Sequence, residues 1–378
     1  MTRPAISRRA FAGTVGAAFG SSLFSRWGVP PAHAQAVKRP EPEWIQLNSN
    51  ENPYGPCPRA VEAIARLREV APRYPDAIEE ELREAIARHH GVPPDRVVLG
   101  NGSSEVLRLA AAAFLAPGRT ILAAEPTFEA VLGYARVTSA EAVKIPLTPD
   151  FRHDLPRMGD ACDARTGLVY VCNPNNPTAT IVGARELEGF LSRVPAGTVV
   201  LVDEAYHHFV ESPAYRSAAS WLERFPNLVV ARTFSKIYGM AGLRLGYALA
   251  SSANAQTLNR HASWNNVNAA ALAAGLASLA DPDAVPRQRR ILNDTRKWLC
   301  EELSKDGRRY IPSETNFLMI HVGSDVAPVI AAFREKRIRV GRKFPSLPDW
   351  LRITVGTREE TAAFLAGLRQ IMPGRAAA

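Results

Sequence analysis

The amino-acid sequence predicts an α/β fold with a large, mainly parallel seven-stranded sheet and a smaller α/β domain. Short apolar segments rich in Val, Leu and Ala alternate with segments of helical periodicity, as in parallel sheets covered on both faces by helices. The length of 378 residues suits two closely packed domains better than one small core. The pattern changes in the final third of the chain, which indicates the smaller domain.

Seven short apolar segments are predicted as the strands of the large sheet. They are residues 97–99, 120–123, 142–145, 167–171, 198–202, 228–231 and 246–249. Apolar residues at helical spacing predict helices around them. These are residues 61–70, 78–89, 105–115, 128–137, 267–279 and 291–303. Ligands of such sheets gather beyond the carboxyl ends of the strands, so functional residues are expected there.

The C-terminal part of the chain predicts a separate βαβ-like unit that ends in a helix. Its segments are residues 317–320, 326–335, 338–340, 351–355 and 359–371. We expect an N-terminal arm with part of the small domain at residues 35–75, the large domain at residues 76–280 and the rest of the small domain at residues 281–378.

Residues 1–34 have the features of a removable export signal. Paired arginines in Ser7-Arg8-Arg9-Ala10-Phe11 precede an apolar stretch, and Pro30-Pro31-Ala32-His33-Ala34 ends as a signal-peptidase site does. Paired arginines here are typical of the bacterial twin-arginine route. An uncleaved anchor is the alternative, but residues 12–24 are too short to span a bilayer comfortably. We expect cleavage after Ala34 and a periplasmic or exported protein, or a cytoplasmic one if the signal is not used.

Charge and cysteine usage exclude several classes of partner. Removal of residues 1–34 lowers the net charge from +9 to +5, because that segment contains four arginines and no acid. The remaining basic residues are scattered, whereas a nucleic-acid surface needs a coherent basic stripe. The four cysteines lie far apart without zinc spacing, and neighbouring histidines such as His89 and His90 have diverging side chains. We therefore expect no nucleic-acid partner, no bound metal and no stable membrane insertion after cleavage.

Two segments at the ends of predicted strands contain ionisable residues that are suited to catalysis or cofactor binding. Asp203 ends a buried strand, a costly place for a carboxylate unless it meets a cation such as a protonated pyridine nitrogen. Lys236 lies among small and apolar residues, where desolvation lowers the pKa of the amine and suits it for Schiff-base formation. Arg244 supplies a fork that matches a phosphate. Taken singly, a strand-end acid or a lysine also has a purely structural explanation.

A third segment, Asn173-Pro174-Asn175-Asn176-Pro177-Thr178, follows the predicted strand at residues 167–171. Its prolines fix the backbone, so that Asn176 is held rigidly where its amide can donate to a phenolate oxygen. In the segment that contains Lys236, the hydroxyls of Thr233 and Ser235 can add hydrogen bonds to a phosphate. An ordinary Asn-Pro turn is the structural alternative for this segment.

In this order the three segments resemble the signature of fold-type I pyridoxal-phosphate-dependent aminotransferases of class I/II. The nearest branch is similar to histidinol-phosphate aminotransferase. The resemblance extends from about Asn48 to Met372. Further motifs match in order, and they are Asn50-Glu51-Asn52-Pro53-Tyr54, Arg73-Tyr74-Pro75, Gly100-Asn101-Gly102-Ser103-Ser104-Glu105, Pro126-Thr127-Phe128 and Leu351-Arg352-Ile353-Thr354-Val355-Gly356-Thr357.

The resemblance implies pyridoxal 5′-phosphate as the cofactor, bound covalently by Lys236, which would also move the proton in transamination. It implies that Asp203 pairs with the pyridinium nitrogen. Tyr206 and Asn176 would hold the 3-oxygen of the cofactor, and Phe128 would stack on its ring. The residues implied to bind the phosphate are Ser103, Ser104, Thr233, Ser235 and Arg244.

For the substrate, the resemblance implies that Arg352 binds the carboxylate in bidentate fashion. Arg342 would be a second candidate ligand of an anion, and Tyr54 would be a further substrate-binding residue. Tyr74 would reach the phosphate in the neighbouring subunit, which implies a homodimer with shared active sites. The implied substrates are a small-molecule amino donor and a 2-oxo acid such as 2-oxoglutarate.

Several alternatives stay open at this level. The same residues serve pyridoxal-phosphate-dependent decarboxylases and lyases, because fold alone does not decide function. Trp264-Asn265-Asn266-Val267-Asn268 stands where a different aromatic and proline pattern is expected. An aromatic amino acid or another imidazole-bearing amine is therefore an alternative amino donor. An exported binding protein without turnover is disfavoured by Lys236, Asp203 and Arg244 together. A nicotinamide dehydrogenase is disfavoured because no GxGxxG opens a helix after a strand.

Overall fold

A computed structural model describes residues 44–69 and 71–373, and it places a mixed sheet between two layers of helices. The strands are β1 (Ile45–Gln46), β2 (Val97–Gly100), β3 (Thr120–Glu125), β4 (Glu141–Pro146), β5 (Thr166–Cys172), β6 (Val199–Asp203), β7 (Leu228–Thr233), β8 (Gly246–Ala250), β9 (Tyr310–Ile311), β10 (Phe317–His321), β11 (Ile338–Arg339) and β12 (Trp350–Thr354). The helices are α1 (Pro58–Ala65), α2 (Asp76–His90), α3 (Ser103–Phe114), α4 (Ala130–Val137), α5 (Leu155–Asp160), α6 (Ala184–Leu191), α7 (Ser252–Asn259), α8 (Ala269–Leu279), α9 (Ala284–Lys305), α10 (Ala327–Glu335) and α11 (Arg358–Ile371).

The large sheet has seven strands in the order β2-β8-β7-β6-β5-β3-β4. Its strands β4, β3, β5, β6 and β7 are parallel, and β8 runs antiparallel to both β7 and β2. The predicted α/β class and the mainly parallel seven-stranded sheet are therefore confirmed. Cys172, Asp203 and Ala231 lie side by side in register, so the carboxyl ends of three neighbouring strands meet at one edge.

Apart from the exposed edge strand β4, the strands of this sheet are buried on both faces, which explains why they are apolar without alternation. Val200 and Val202 of β6 face one hydrophobic core, to which α2 contributes Leu82. Leu201 faces the opposite core, where Val106 of α3 packs. Since successive side chains of a strand point to opposite faces, β6 supports both helical layers at once.

The C-terminal unit differs from the predicted βαβ-like arrangement. Strand β10 pairs antiparallel with β12 and with β9, and β11 instead pairs in parallel with the N-terminal strand β1. After α10 the chain forms β11 beside β1 and then a loop, and β12 lies antiparallel to β10. The helix α10 therefore does not connect two parallel neighbouring strands. A separate core contains Leu318, Leu351 and Phe364, and it also takes in Leu47 from the N-terminal segment.

The boundaries predicted at residues 75 and 280 stay a prediction, because the described residues from Ile45 onward belong to one compact unit. The export signal predicted at residues 1–34 lies outside the described residues. Helices α5, α6 and α7 and the short strands β1 and β9 were not predicted. Of the helices that the structure describes, none has the length and apolar character needed to cross a membrane.

Candidate active site

One cavity of about 430 Å³ lies at the edge where the parallel strands end, and it is of the size that small-molecule sites usually have. It collects every predicted site residue except Tyr54 and Tyr74. The predicted residues in its wall are Ser103, Ser104, Phe128, Asn176, Asp203, Tyr206, Thr233, Ser235, Lys236, Arg244, Arg342 and Arg352. Residues far apart in the sequence are thus brought together by the strand order of the sheet.

Lys236 follows β7 and extends its amine into the cavity. Its Nζ donates a hydrogen bond to the carbonyl oxygen of Ser49 at 3.1 Å and lies 5.6 Å from the centre of the Tyr206 ring. Burial lowers the pKa of Lys236 to about 8, and the Arg352 guanidinium adds to this effect. With this pKa, about a tenth of the amine is neutral, and hence nucleophilic, at pH 7.

Asp203 is the last residue of β6, and its side chain is buried. Its Oδ2 accepts a hydrogen bond from the Tyr170 hydroxyl at 2.9 Å, and its Oδ1 accepts one from the Ala205 amide at 3.1 Å. Burial raises the pKa of Asp203 to about 6. Burial disfavours the charged form of this carboxylate, whereas a cation beside it would stabilise that form and lower its pKa.

An anion-binding cup lies at the N terminus of α3, where backbone N–H groups lack partners within the helix and carry the positive end of its dipole. Arg244 Nη1 donates to Ser235 Oγ at 3.2 Å and to the Ala241 carbonyl oxygen at 3.0 Å. A Cβ atom at Gly102 would overlap Arg244 Nη2, and this glycine has a φ of +78°. The glycine therefore lets the guanidinium approach the end of the helix.

The opposite side of the cavity carries hydrogen-bonding groups around Tyr206. The Tyr206 hydroxyl accepts a hydrogen bond from Asn50 Nδ2 at 3.0 Å, so its own proton remains available to an acceptor in the cavity. Burial raises the pKa of Tyr206, which keeps this hydroxyl protonated. Asn176 accepts from Arg352 Nη1 at 2.8 Å, and Phe128 contributes an aromatic wall.

Arg352 is an arginine with neutral partners. Its Nη1 donates to Asn176 Oδ1, and its Nη2 donates to the Asn48 carbonyl oxygen at 2.7 Å. Its Nε is buried and has no hydrogen-bond partner in residues 44–69 and 71–373. Among the described residues no carboxylate forms an ion pair with it. A guanidinium desolvated in this way has a strong requirement for an anion, such as a substrate carboxylate or phosphate.

Arg342 differs from Arg352 because it already has an acidic partner. Its Nη2 donates to Glu129 Oε2 at 2.7 Å, and both side chains are about half exposed. The guanidinium lies 4.3 Å from the centre of the Phe344 ring, and that of Arg352 lies 5.3 Å from the same ring. The two arginines thus flank one phenyl ring in the cavity wall.

Two predicted residues lie elsewhere. Tyr54 and Tyr74 do not belong to the cavity wall, and their side chains are 40% and 81% exposed. Tyr74 lines a surface depression together with Trp264, which is 95% exposed. Their predicted roles at the substrate and at a neighbouring subunit stay predictions.

Sequence reasoning did not find several residues that support the site. Tyr170 bonds to Asp203 from the neighbouring strand, and Asn50 bonds to both Tyr206 and Thr354. Glu129 and Phe344 were also missed. Asn50 lies within a motif that was recognised, and Glu129 directly follows another. The contact of Tyr170 with Asp203 depends on strand register, which the sequence does not show.

These residues fit pyridoxal phosphate. The buried Asp203 carboxylate suits a cationic ring nitrogen, and the helix end with Arg244 suits a phosphate. Lys236 supplies an amine of lowered pKa for the aldehyde. Within the described part of the chain, no group of three or more His, Cys, Asp or Glu residues is placed to hold a metal ion.

Comparison with known proteins gives a consistent result. The family described as aminotransferase class I and II matches residues 42–368. The chain is 39% identical to a histidinol-phosphate aminotransferase of Moorella thermoacetica, covering 87% of this chain and 85% of that protein. It is 40% identical to one from Symbiobacterium thermophilum, covering 86% and 90%. The crystal structure of histidinol-phosphate aminotransferase from Sinorhizobium meliloti in complex with pyridoxal-5′-phosphate superposes with a TM-score of 0.81 at 26% identity, covering 88% and 91%.

Proposed function

Because this chain belongs to the class I and II aminotransferase family, we propose that its amino donor is an imidazole-bearing amino-alcohol phosphate of the histidinol-phosphate class. The reaction class is pyridoxal-phosphate-dependent transamination, with a 2-oxo acid such as 2-oxoglutarate as the proposed acceptor. The relatives named above support the choice of donor. A decarboxylase or lyase is not favoured, since these relatives are aminotransferases.

One observation carries the proposal: the free amine of Lys236 and the guanidinium of Arg352 face the same cavity. The two groups are close enough to interact, because burial and then the charge of Arg352 lower the pKa of Lys236. An amino donor whose anionic group binds Arg352 would therefore bring its α-carbon to the lysine. This is the arrangement that proton transfer at the α-carbon requires.

The proposed roles follow from the contacts of each side chain. When bound, pyridoxal phosphate supplies an electron sink for the pair released at the substrate α-carbon. Asp203 would hold a proton on the ring nitrogen, and Tyr206 would donate to the 3-oxygen. Lys236 Nζ would move a proton from the substrate α-carbon to the cofactor carbon, and Arg244 would bind the phosphate.

The test is the visible spectrum of the purified holoenzyme before and after each of three donors: histidinol phosphate, glutamate and phenylalanine. Histidinol phosphate is expected to bleach the yellow band, and 2-oxoglutarate is expected to restore it with the formation of glutamate. Lys236→Ala should lose at least about a thousandfold in turnover. The exposed Lys297, which pairs with Glu211, provides the matched control Lys297→Ala.

Each other outcome has a definite meaning. Bleaching by phenylalanine but not by histidinol phosphate would assign an aromatic amino acid as donor. Release of carbon dioxide without a keto product would indicate a decarboxylase. A protein that stays colourless with added pyridoxal phosphate would contradict the role of Lys236.

We also propose a homodimer with shared active sites. Tyr74 and Trp264 are large exposed aromatic residues in one depression, and such residues are enriched in protein interfaces. The loop that carries Trp264 is tied to α3 by a hydrogen bond of 2.6 Å from Asn266 Nδ2 to Glu105 Oε2. This surface therefore adjoins the helix whose N terminus lines the cavity, as an active site shared with a second copy requires.

We propose further that residues 1–34 direct export by the twin-arginine route and are then removed. The support is the Ser7-Arg8-Arg9-Ala10-Phe11 motif ahead of an apolar stretch. Export of a folded protein would allow the cofactor to be bound in the cytosol. Periplasmic enzyme should begin at Gln35, and replacing both Arg8 and Arg9 by lysine should retain it in the cytosol. A native protein found wholly in the cytosol would contradict the proposal.

A further inference from the structure

The cavity wall contains two arginines that differ in whether they already have an acidic partner. Within the described part of the chain, Arg352 bonds to neutral acceptors only, and its Nε has no hydrogen-bond partner. Arg342 forms an ion pair with Glu129 across a distance of 2.7 Å. Both guanidinium groups stack against Phe344. Burial lowers the pKa of Arg352, and the charge of Arg342 adds to this effect. A single ligand with two anionic groups, or one dianionic group, could therefore contact both.

Glu129 accepts a hydrogen bond from Arg342 Nη2, a donor that the second anionic group of a ligand could use instead. It precedes α4 in the large-sheet part of the chain, whereas Arg342 lies on the loop between β11 and β12. Both residues line the cavity that holds Lys236. Because the two side chains are about half exposed, the ion pair is weak enough to be exchanged for another carboxylate or phosphate.

We propose that Glu129 is a specificity-determining residue that acts as an internal competitor for Arg342. A ligand with one anionic group binds Arg352 and leaves the Glu129–Arg342 pair intact. A ligand with a second anionic charge must displace Glu129, so its binding is weakened by the cost of breaking that pair. The inference rests on the proposed function only in taking this cavity as the site of the amino donor and acceptor.

The test compares binding of two unreactive acids of equal chain length, glutarate and pentanoate, to the holoenzyme by titration calorimetry. In Glu129→Gln the dissociation constant of glutarate is expected to fall about two- to fivefold, the range that corresponds to a half-exposed ion pair. That of pentanoate should stay unchanged. Glutarate that binds Glu129→Gln no more tightly than wild type would overturn the proposal.

Two further variants separate this effect from a general change of charge. Glu125→Gln removes the same charge from the nearby end of β3, where Glu125 pairs with Lys144 outside the cavity, and both dissociation constants should stay as in wild type. In an Arg342→Gln background, Glu129→Gln should no longer affect glutarate, because the competition has been removed. An undiminished effect in that background would also overturn the proposal.

A kinetic measurement extends the test to turnover. Glu129→Gln should lower KM for glutamate, which has two carboxylates, by a larger factor than it changes kcat, since the competition affects binding and not the reacting atoms. If instead kcat/KM falls for histidinol phosphate and glutarate binding does not change, Glu129 contacts the donor ring and the proposal fails. Calorimetry with glutarate needs no turnover, so its outcome is independent of whether histidinol phosphate is the donor.

Discussion

At the scale of single residues, the chemistry of the site depends on burial of charged groups beside partners of the right sign. The same burial acts in opposite directions on an amine and on a carboxylate: it lowers the pKa of Lys236 to about 8 and raises that of Asp203 to about 6. Arg352 adds a like charge near Lys236, which favours the neutral amine further. The amine is thereby prepared to react with an aldehyde near neutral pH.

The rate of cofactor binding to the apoenzyme is predicted to depend on pH through Lys236. Only the neutral amine attacks, so the rate should rise with pH around a midpoint of about 8. In Arg352→Gln a like charge is removed, the pKa of Lys236 rises, and the midpoint should move to higher pH. Stopped-flow absorbance with pyridoxal phosphate measures both. Arg358→Gln, at an exposed arginine stacked on Trp298, is the control, and an equal shift there would contradict the explanation.

At the scale of elements, the anion-binding cup is produced by two close backbone approaches. A Cβ atom at Gly102 would overlap the Arg244 guanidinium, and one at Gly246 would overlap the Ser103 amide. The start of β8 and the N terminus of α3 are thus in contact, and the Arg244 guanidinium lies against Gly102 at the same helix end. The positive N terminus of α3 and the charged guanidinium of Arg244 lie close together, because glycine has no side chain to separate them.

Substitution of Gly102 by alanine is predicted to weaken cofactor binding by at least about tenfold, since a charge-assisted contact is displaced. Gly102 has φ +78° and ψ 160°, a region that only glycine adopts readily, so the alanine adds strain of about 1 to 3 kcal/mol. Gly118→Ala is the control, because Gly118 has a φ of +80° and, among the described residues, no atom near the added Cβ. Both variants should lose stability in thermal unfolding, but only Gly102→Ala should lose affinity in a spectroscopic titration with pyridoxal phosphate. Equal affinities would argue against the overlap.

Most elements of the large sheet could be predicted from the sequence, because a buried parallel strand leaves an apolar segment that local inspection detects. The short helix α5 and helix α7 have weaker signals and were missed. The C-terminal pairing was predicted wrongly, since the direction in which β12 returns to β10 is decided by a loop and not by strand composition. In the site, motif residues were found, whereas Tyr170 and Glu129 were missed because their contacts depend on register and on distant loops.

At the scale of the whole molecule, several histidines are buried in the neutral form. Burial lowers the pKa of His90 to about 3 and those of His153 and His207 to about 4. The nearby Arg232 disfavours protonation of His90 and His207 further. The unfolded chain binds protons below pH about 6.5 and the folded chain does not. The contribution of these histidines to the free energy of unfolding is therefore complete above about pH 6.5 and is lost as the pH falls towards 4. Asp203 has the opposite effect, because its pKa is raised in the folded protein, which then binds one proton more than the unfolded chain does.

The free energy of unfolding is predicted to fall between pH 7 and pH 5 by an amount that depends on these histidines. His207→Asn keeps a group that can bond to the Tyr215 hydroxyl but removes the titration. Its loss of stability over that pH range should be smaller than that of wild type by about 2 kcal/mol. Urea unfolding at the two pH values measures this. His261→Asn, at an exposed histidine, should behave as wild type, and an unchanged slope in His207→Asn would refute the prediction.

The proposed sharing of active sites gives a prediction that no monomer could satisfy. If Tyr74 completes the site of the neighbouring subunit, Tyr74→Ala and Lys236→Ala should each have little activity alone. In a mixed dimer one site has both mutations and the other has neither. Random mixing of the unfolded variants followed by refolding should thus restore about a quarter of wild-type activity, because half of the dimers are mixed and each has one intact site. Lys297→Ala in place of Tyr74→Ala tests whether mixing itself has an effect. A mixture of Tyr74→Ala and Lys236→Ala that is no more active than the sum of its components would exclude a shared site, whatever the oligomeric state.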